Sequence, residues 1–336
     1  MLKKKGRSTA VFDNVNVISS ASFGGKKESE GPLGKYIDFT TEDAMYGEKS
    51  WEKAEIKFFR EASKLAITKA DISQSDVDYA FAGDLLNQCG ASAYGMRDLD
   101  IPFFGIYGAC STFGESLSLG AMAIDGKFAE NVLCTAGSHF CAAEKQFRFP
   151  LELGTQRPPS ATWTVTGAGS CILSSNGNGP RITEVTTGKV VDMGVKDAAN
   201  MGAAMAPAAA EAIYSHFLDT GRKTNYYDCV ATGDLGEVGR ELLKHLLAEK
   251  GLYFENNLTD CGIEMFDKES QDTHCGGSGC ACSAVAFCAY FYKMLCEGKI
   301  KKMLLIPTGA LMNTTASQQG ESIPSIAHAI AFEARC

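Results

Sequence analysis

The sequence predicts an α/β protein built from two pseudo-symmetric halves, each alternating strand and helix. Three observations carry this. The first is the stretch Ile106–Phe140, IYGACSTFGESLSLGAMAIDGKFAENVLCTAGSHF, which reads as a loop, a helix, a turn and a strand. Its helix, over about Thr112–Ile124, has almost no polar face, and a helix apolar all round is normally buried. The second is a copy of that stretch near the C-terminus. Ala281–Leu311 superposes on it without a gap at a shift of 172 positions, so that Cys110 meets Cys282, Met122 meets Met294 and Gly137 meets Gly309. The third is an upstream pair: DYAFAGDL at Asp78–Leu85 matches DCVATGDL at Asp228–Leu235. The repeat is too long for a solenoid unit. It divides the chain into an N-terminal half, residues 1–180, and a C-terminal half, residues 181–336.

The elements follow in order. Ala10–Ile18 alternates apolar and polar positions and predicts an early strand. Phe23–Met45, rich in Gly, Lys and Glu, reads as an exposed excursion rather than core. Ser50 suits the N-cap of a helix whose Trp51, Ala54, Phe58, Ala62, Leu65 and Ala66 share one face. Tyr79–Ala82 is a strand ending at Gly83-Asp84, Leu85–Asp100 a helix, and Ile101–Ile106 a strand leading to Cys110. Gly114 and Gly120 let another backbone approach the buried helix, which Asp125 and Gly126 end. Glu144–Pro159 is a long connection holding Lys145, Arg148 and Arg157, and such loops often carry function. Trp163–Ser175 reads as a glycine-broken hairpin with a counterpart at Ile326–Ala334. In the second half, Arg181–Val191 alternates as an exposed strand, Pro207 suits a helix start, and Gly239–Glu249 is a helix. Lys250–Thr273 has no close match in the first half.

Composition bounds the function. The formal net charge of −8 and a pI near 5.3 argue against nucleic acid, whose partners are basic. No run of about 18 apolar residues predicts a membrane span, and MLKKKGRSTAVF has positive charge but no apolar h-region, so no signal peptide is expected. Several of the 13 cysteines, among them Cys134, Cys171, Cys288 and Cys296, fall inside apolar elements and read as reduced, buried thiols of a cytoplasmic protein. CGGSGCAC at Cys275–Cys282 lacks the paired spacing of a zinc site, so no metal is expected.

The chemistry centres on Cys110, at the N-terminus of the buried helix. Free N–H groups and the helix dipole there favour thiolate over thiol. The same turn, Cys110 to Thr112, can hold a bound carboxylate. Asp84 and Asp234 end repeated strands, which favours a structural role such as capping the next helix. His139 and His328 read as structural histidines as readily as pocket groups, and His274, whose spacing to the following glycines is short, reads as structural more readily than as a pocket group.

Two halves, a cysteine before a buried helix and the late loop GGSGCACSA resemble the thiolase superfamily. ACSTFGESLSLGAMAIDGKFAENVLCTAGSH is similar to the nucleophile segment of ketoacyl synthases, and TGAGSCIL to their glycine hairpin. This resemblance implies a five-layered αβαβα fold and a homodimer paired through the strand Asn131–Ala136. Condensing enzymes of that fold add a His/His, His/Asn or His/Cys pair to the nucleophile. Here Thr232 or Gly233, Gly277 and Pro307 stand near those positions. More narrowly, GPLG, KSWEKAE, AGDLLNQ, FGIYGACST, MGAAMAPAAA, GGSGCACSA and IPSIAHAIAFE resemble the stage V sporulation protein AD family of spore-forming bacteria. That resemblance implies binding of dipicolinic acid (pyridine-2,6-dicarboxylate) without catalysis and support of its uptake into the developing spore. The partners it implies are membrane proteins of the same sporulation operon, with this protein peripheral to the forespore membrane. It implies no cofactor, and calcium only as a chelate of the ligand. Cys110, Ser111, Thr112, His139, Arg148, Gly277, Gly309 and His328 are the expected ligand-binding residues, with Arg148 as the cation for one carboxylate. The alternative is an acyltransferase of the ketoacyl synthase or thiolase type with Cys110 as nucleophile.

Overall fold

The computed structural model describes residues 3–148, 152 and 156–335. Five strands in each half take the same order. In the first half Asn16–Gly24, Gly167–Ser174, Asn131–Ser138, Tyr79–Gly83 and Phe103–Gly105 lie side by side. In the second, Arg181–Thr186, Ala329–Glu333, Lys302–Ile306, Cys229–Thr232 and Leu258–Asp260 repeat that order. Both series run antiparallel, antiparallel, parallel, parallel. The halves meet where Arg181 pairs with Asn16. Thr9–Val11 crosses over to pair with Arg181–Thr186 of the other half.

Two helices fill the middle layer, Thr112–Asp125 and the helical run from Cys280 to Cys296. Phe113 and Phe287 bring them together at 5.8 Å between ring centroids, and Phe287 continues onto Phe332 of the second-half sheet. Phe287–Phe291 winds as a π-helix inside the second run. Glycines set the layer spacing. A Cβ on Gly169 would lie 2.4 Å from the backbone of Ala284, and one on Gly120 2.7 Å from the Cys134 sulfur. Trp51–Lys69 with Gly90–Arg97 covers the outer face of the first sheet, and Met201–Thr220 with Gly236–Glu249 that of the second. The result is the five-layered αβαβα arrangement. Among the described residues no helix is long and apolar enough to cross a membrane.

Local expectations hold where a side chain acts on its own backbone. Ser50 accepts from Lys53 N and caps Trp51–Lys69, whose Ala54, Phe58, Ala62 and Ala66 are fully buried. Other expectations are corrected by tertiary context. Phe23–Met45 is partly core: Leu33, Ile37 and Glu28 are buried. Trp163–Thr164 forms no hairpin with the strand after it but pairs in parallel with Gly277–Ser278. Arg181–Thr186 is buried, because it lies where the two halves join. Pro207 sits inside a helix that Asn200 caps, not at its start. Cys296 is exposed, unlike Cys134, Cys171 and Cys288. The strand Asn131–Ser138, expected as a dimer edge, is hydrogen-bonded on both sides and cannot receive a partner strand. The free edge of that half is Phe103–Gly105, where Phe104 is 51% exposed.

Candidate functional site

Cys110 stands in a tight turn, Ala109–Ser111, that precedes Thr112–Asp125. Ala109 has φ of +50°, a left-handed conformation that costs a residue with a Cβ roughly 1–2 kcal/mol. Local hydrogen bonds hold it. Ser111 donates from N and Oγ to Gly108 O at 3.0 and 2.7 Å, and Thr112 Oγ1 donates to Ala109 O at 2.6 Å. Gly108 N donates to Thr112 Oγ1 at 3.1 Å. Gly309 closes the turn from the other half: a Cβ there would meet Gly108 O at 1.9 Å.

The Cys110 sulfur faces Ser278 Oγ at 3.9 Å. Ser278 Oγ donates to Asp234 Oδ2 at 2.9 Å, and Gly279 N donates to the same oxygen at 3.1 Å. Asp234 Oδ1 is buried without a hydrogen-bond partner among the described residues. Each element has a reason to be here. Cys229–Thr232 delivers Asp234 at its C-terminal end, and Gly279, with φ of +95°, turns the chain into the second central helix. Cys110, Ser278 and Gly279 form the polar wall of a cavity of about 120 Å³. Its other walls are mainly apolar, with Leu85, Phe147, Met201, Met205 and Met312, and Glu144 and Arg148 also line it.

Electrostatics corrects the expected thiolate. Burial pushes the Cys110 thiol well above the ordinary thiol range, and the Asp234 carboxyl beside it pushes the same way. The Gly279 N–H opposes them more weakly. A helix terminus contributes about 0.3–1 kcal/mol, up to about 2 in buried settings, and here it does not outweigh desolvation. Asp234 is itself pushed up to about 7, first by burial, with Asp260 adding and Cys110, Ser278 and Gly279 opposing.

Of the expected site residues, Cys110 and Arg148 line the cavity. Arg148 arrives already paired, with both its Nε and Nη2 donating to Glu144, the latter at 3.1 Å. Ser111 and Thr112 spend their hydroxyls on the turn. His139 caps Phe140–Phe147, accepting at Nδ1 from Cys141 N and donating from Nε2 to Ala44 O at 2.8 Å. His328 accepts from Gly188 N, and burial pushes it down to about 4. Gly277 pairs with Trp163 and packs against Phe266 and Val165, and the residue after it reaches the cysteine. His274 bonds to Pro158 O, His216 to Thr186 and Tyr227, and His245 is exposed, so none of the five histidines lines the cavity. At the expected acid/base positions, Thr232 donates to Asp260, and Gly233 packs on Pro307.

Asp84 takes the structural role expected of it, accepting from Leu86 N and from Ser92 N and Oγ. Asp234 does not. Asp260 receives the N–H groups of Leu235 and Gly236 in its stead, which frees Asp234 for the cysteine pocket. The sequence does not reveal Ser278 and Asp234 as a pair, because 44 residues separate them. The one signal it offers is Asp234's place at the end of a repeated strand.

A family model described as stage V sporulation protein AD matches residues 6–333. The chain is 42% identical over 333 residues to the stage V sporulation protein AD of Bacillus subtilis (strain 168), covering 99% of this chain and 98% of that protein. Among solved structures it is similar to 3-oxoacyl-[acyl-carrier-protein] synthase III from Aquifex aeolicus VF5, with a TM-score of 0.59 at 15% identity over 95% of this chain and 99% of that one. It is also similar to a variant of OleA from Xanthomonas campestris, with a TM-score of 0.60 at 12% identity over 96% and 99%. At such identities the structural likeness shows the thiolase-like fold alone. The family match spans nearly the whole chain, and the protein therefore belongs to the stage V sporulation protein AD family.

Proposed function

We propose that the Cys110 cavity binds dipicolinic acid, free or as its calcium chelate, without condensing acyl groups, and that the protein thereby supports loading of this compound into the developing spore. The observation that carries the reading is the company of the cysteine. Ser278 and Asp234 stand at the sulfur, and the five histidines lie elsewhere. Condensation needs a thiolate and groups that polarise a thioester and move a proton. A buried thiol beside a carboxyl is poorly suited to both tasks. The apolar walls suit a flat aromatic ring, the Cys110 thiol suits one carboxylate as a donor, and the Arg148 fork suits the other. Family membership supports the sporulation role. On this reading the protein works as a homodimer on the cytoplasmic side, peripheral to the forespore membrane and beside membrane proteins of its operon.

Calorimetric titration with dipicolinate, with and without calcium, tests the reading. Wild type should bind, and Cys110→Ala should weaken binding without unfolding the protein. Absence of binding under both conditions would refute it. The turn that presents Cys110 at the start of a buried helix favours one second reading, acyl transfer through Cys110. Steady-state condensation of acyl-CoA or acyl-carrier substrates, abolished by Cys110→Ala, would establish that reading instead.

A further inference from the structure

We propose that Asp234 makes ligand binding proton-coupled: a carboxylate seated beside Cys110 is taken up together with one proton, which resides on Asp234. This role presupposes dicarboxylate binding in the cavity and adds the residue that decides its pH dependence. In the bound state Asp234 Oδ1–H donates to the Cys110 sulfur, and the Cys110 S–H donates to the ligand carboxylate. No covalent bond forms or breaks in the ligand, and the added proton comes from solvent. Asp234 acts through Cys110 and is a positioning residue.

The geometry assigns the proton to one oxygen. Oδ2 already accepts two hydrogen bonds, from Ser278 Oγ and Gly279 N, and so behaves as the carbonyl oxygen of an acid. Oδ1 has no donor among the described residues, and Asp234 is 1% exposed. An ionised oxygen left buried and unpaired costs far more than a neutral hydroxyl in the same place. The described surroundings supply no cation to offset an ionised Asp234. Cys110 faces it from the turn, Cys280 and Cys282 from the second central helix, and Asp260 with Cys261 from the neighbouring strand end. Glu144 lines the cavity too, and the nearby Arg148 is tied to it. Asp260 is the better satisfied of the two adjacent carboxyls, with the N–H groups of Leu235, Gly236 and Ile263 and the Thr232 hydroxyl. The proton therefore goes to Asp234. A dianion arriving beside an ionised Asp234 would set like charges together in a dry cavity. Protonation removes that repulsion and leaves a chain of donors running toward the ligand.

The test is calorimetric titration of the full chain with pyridine-2,6-dicarboxylate in two buffers of different ionisation enthalpy, repeated across pH. Near pH 8 the buffer dependence should report close to one proton taken up per ligand, shrinking toward zero near pH 6, and the apparent Kd should rise by about tenfold per pH unit above neutrality. Asp234→Asn mimics the protonated acid, since its carbonyl can accept from Ser278 and Gly279 and its amide can donate to the sulfur. It should bind with no proton uptake and with a Kd that is flat across this range. Binding by wild type without proton uptake, or proton uptake retained in Asp234→Asn, would overturn the role of Asp234 alone. Absence of binding by wild type at every pH would overturn the binding reading and this role with it. The wild-type comparison decides the matter even where the variant does not fold.

Discussion

Glu144 and Arg148 offer the sharpest quantitative test of the cavity, because the ligand must compete with one for the other. They lie four residues apart across the end of Phe140–Phe147, and both line the cavity. The guanidinium forks onto the Glu144 carboxylate, and the two side chains are 25% and 15% exposed. A ligand carboxylate that uses Arg148 must share or displace that fork. Arg148→Ala removes the contact altogether and should cost roughly 1.5–3 kcal/mol, about tenfold to a hundredfold in affinity. Glu144→Gln should do the opposite. It frees the fork and removes a negative charge from the cavity wall, at a gain of about 1 kcal/mol, or roughly fivefold in affinity. Made in the Arg148→Ala background, the same change keeps only its charge-repulsion part, so the gain should shrink. The assay is calorimetric titration with dipicolinate at constant pH and ionic strength, with circular dichroism to confirm folding. Weaker binding by Glu144→Gln, or unaltered affinity in Arg148→Ala, would refute the reasoning.

Other expectations concern the scaffold. Gly169→Ala places a Cβ 2.4 Å from the Ala284 backbone, which has no rotamer to yield, so the variant should lose about 1–3 kcal/mol and unfold at lower urea; an unchanged midpoint would contradict this. Glu28 is buried, and burial lifts its pKa from the ordinary 4.5 to about 7. Its contribution to stability is therefore full below 4.5 and is lost as pH rises through about 7. The stability gap between wild type and Glu28→Gln should widen in the variant's favour by up to about 3 kcal/mol between about pH 5 and 8, and a constant gap would refute it. Phe104→Asp, on the free strand edge, should convert a dimer to a species of 35.9 kDa in sedimentation; wild type already at that mass would remove the dimer from the functional reading.

The candidate site is half legible in the sequence. Cys110 can be found because its helix is apolar on every side and because a copy of the segment lies at Cys282. Arg148 can be found because it follows closely on that segment. Ser278 and Asp234 are hidden for a physical reason. Each is an ordinary residue at the end of an ordinary strand, and their meaning comes from a hydrogen bond between two loops. His139, His274 and His328 draw attention by residue type, but each is engaged by a backbone group away from the cavity: His139 by Ala44 O, His274 by Pro158 O and His328 by Gly188 N.

What the sequence determined by itself was everything written in periodicity and repetition. Apolar patterning specified the buried helices, and the copied segments specified two halves of one strand order, since similar local sequence folds to similar local structure. The Ser50 cap was equally local. Tertiary structure alone decided the rest. The strand Asn131–Ser138 became interior because strands from distant parts of the chain flank it on both sides. The Cys110 thiol is pushed above the ordinary range because burial and the Asp234 carboxyl outweigh a helix terminus. Proton affinity in a dry pocket depends on which groups surround it, and those groups arrive from residues distant in the chain, as Ser278 does at a separation of 168.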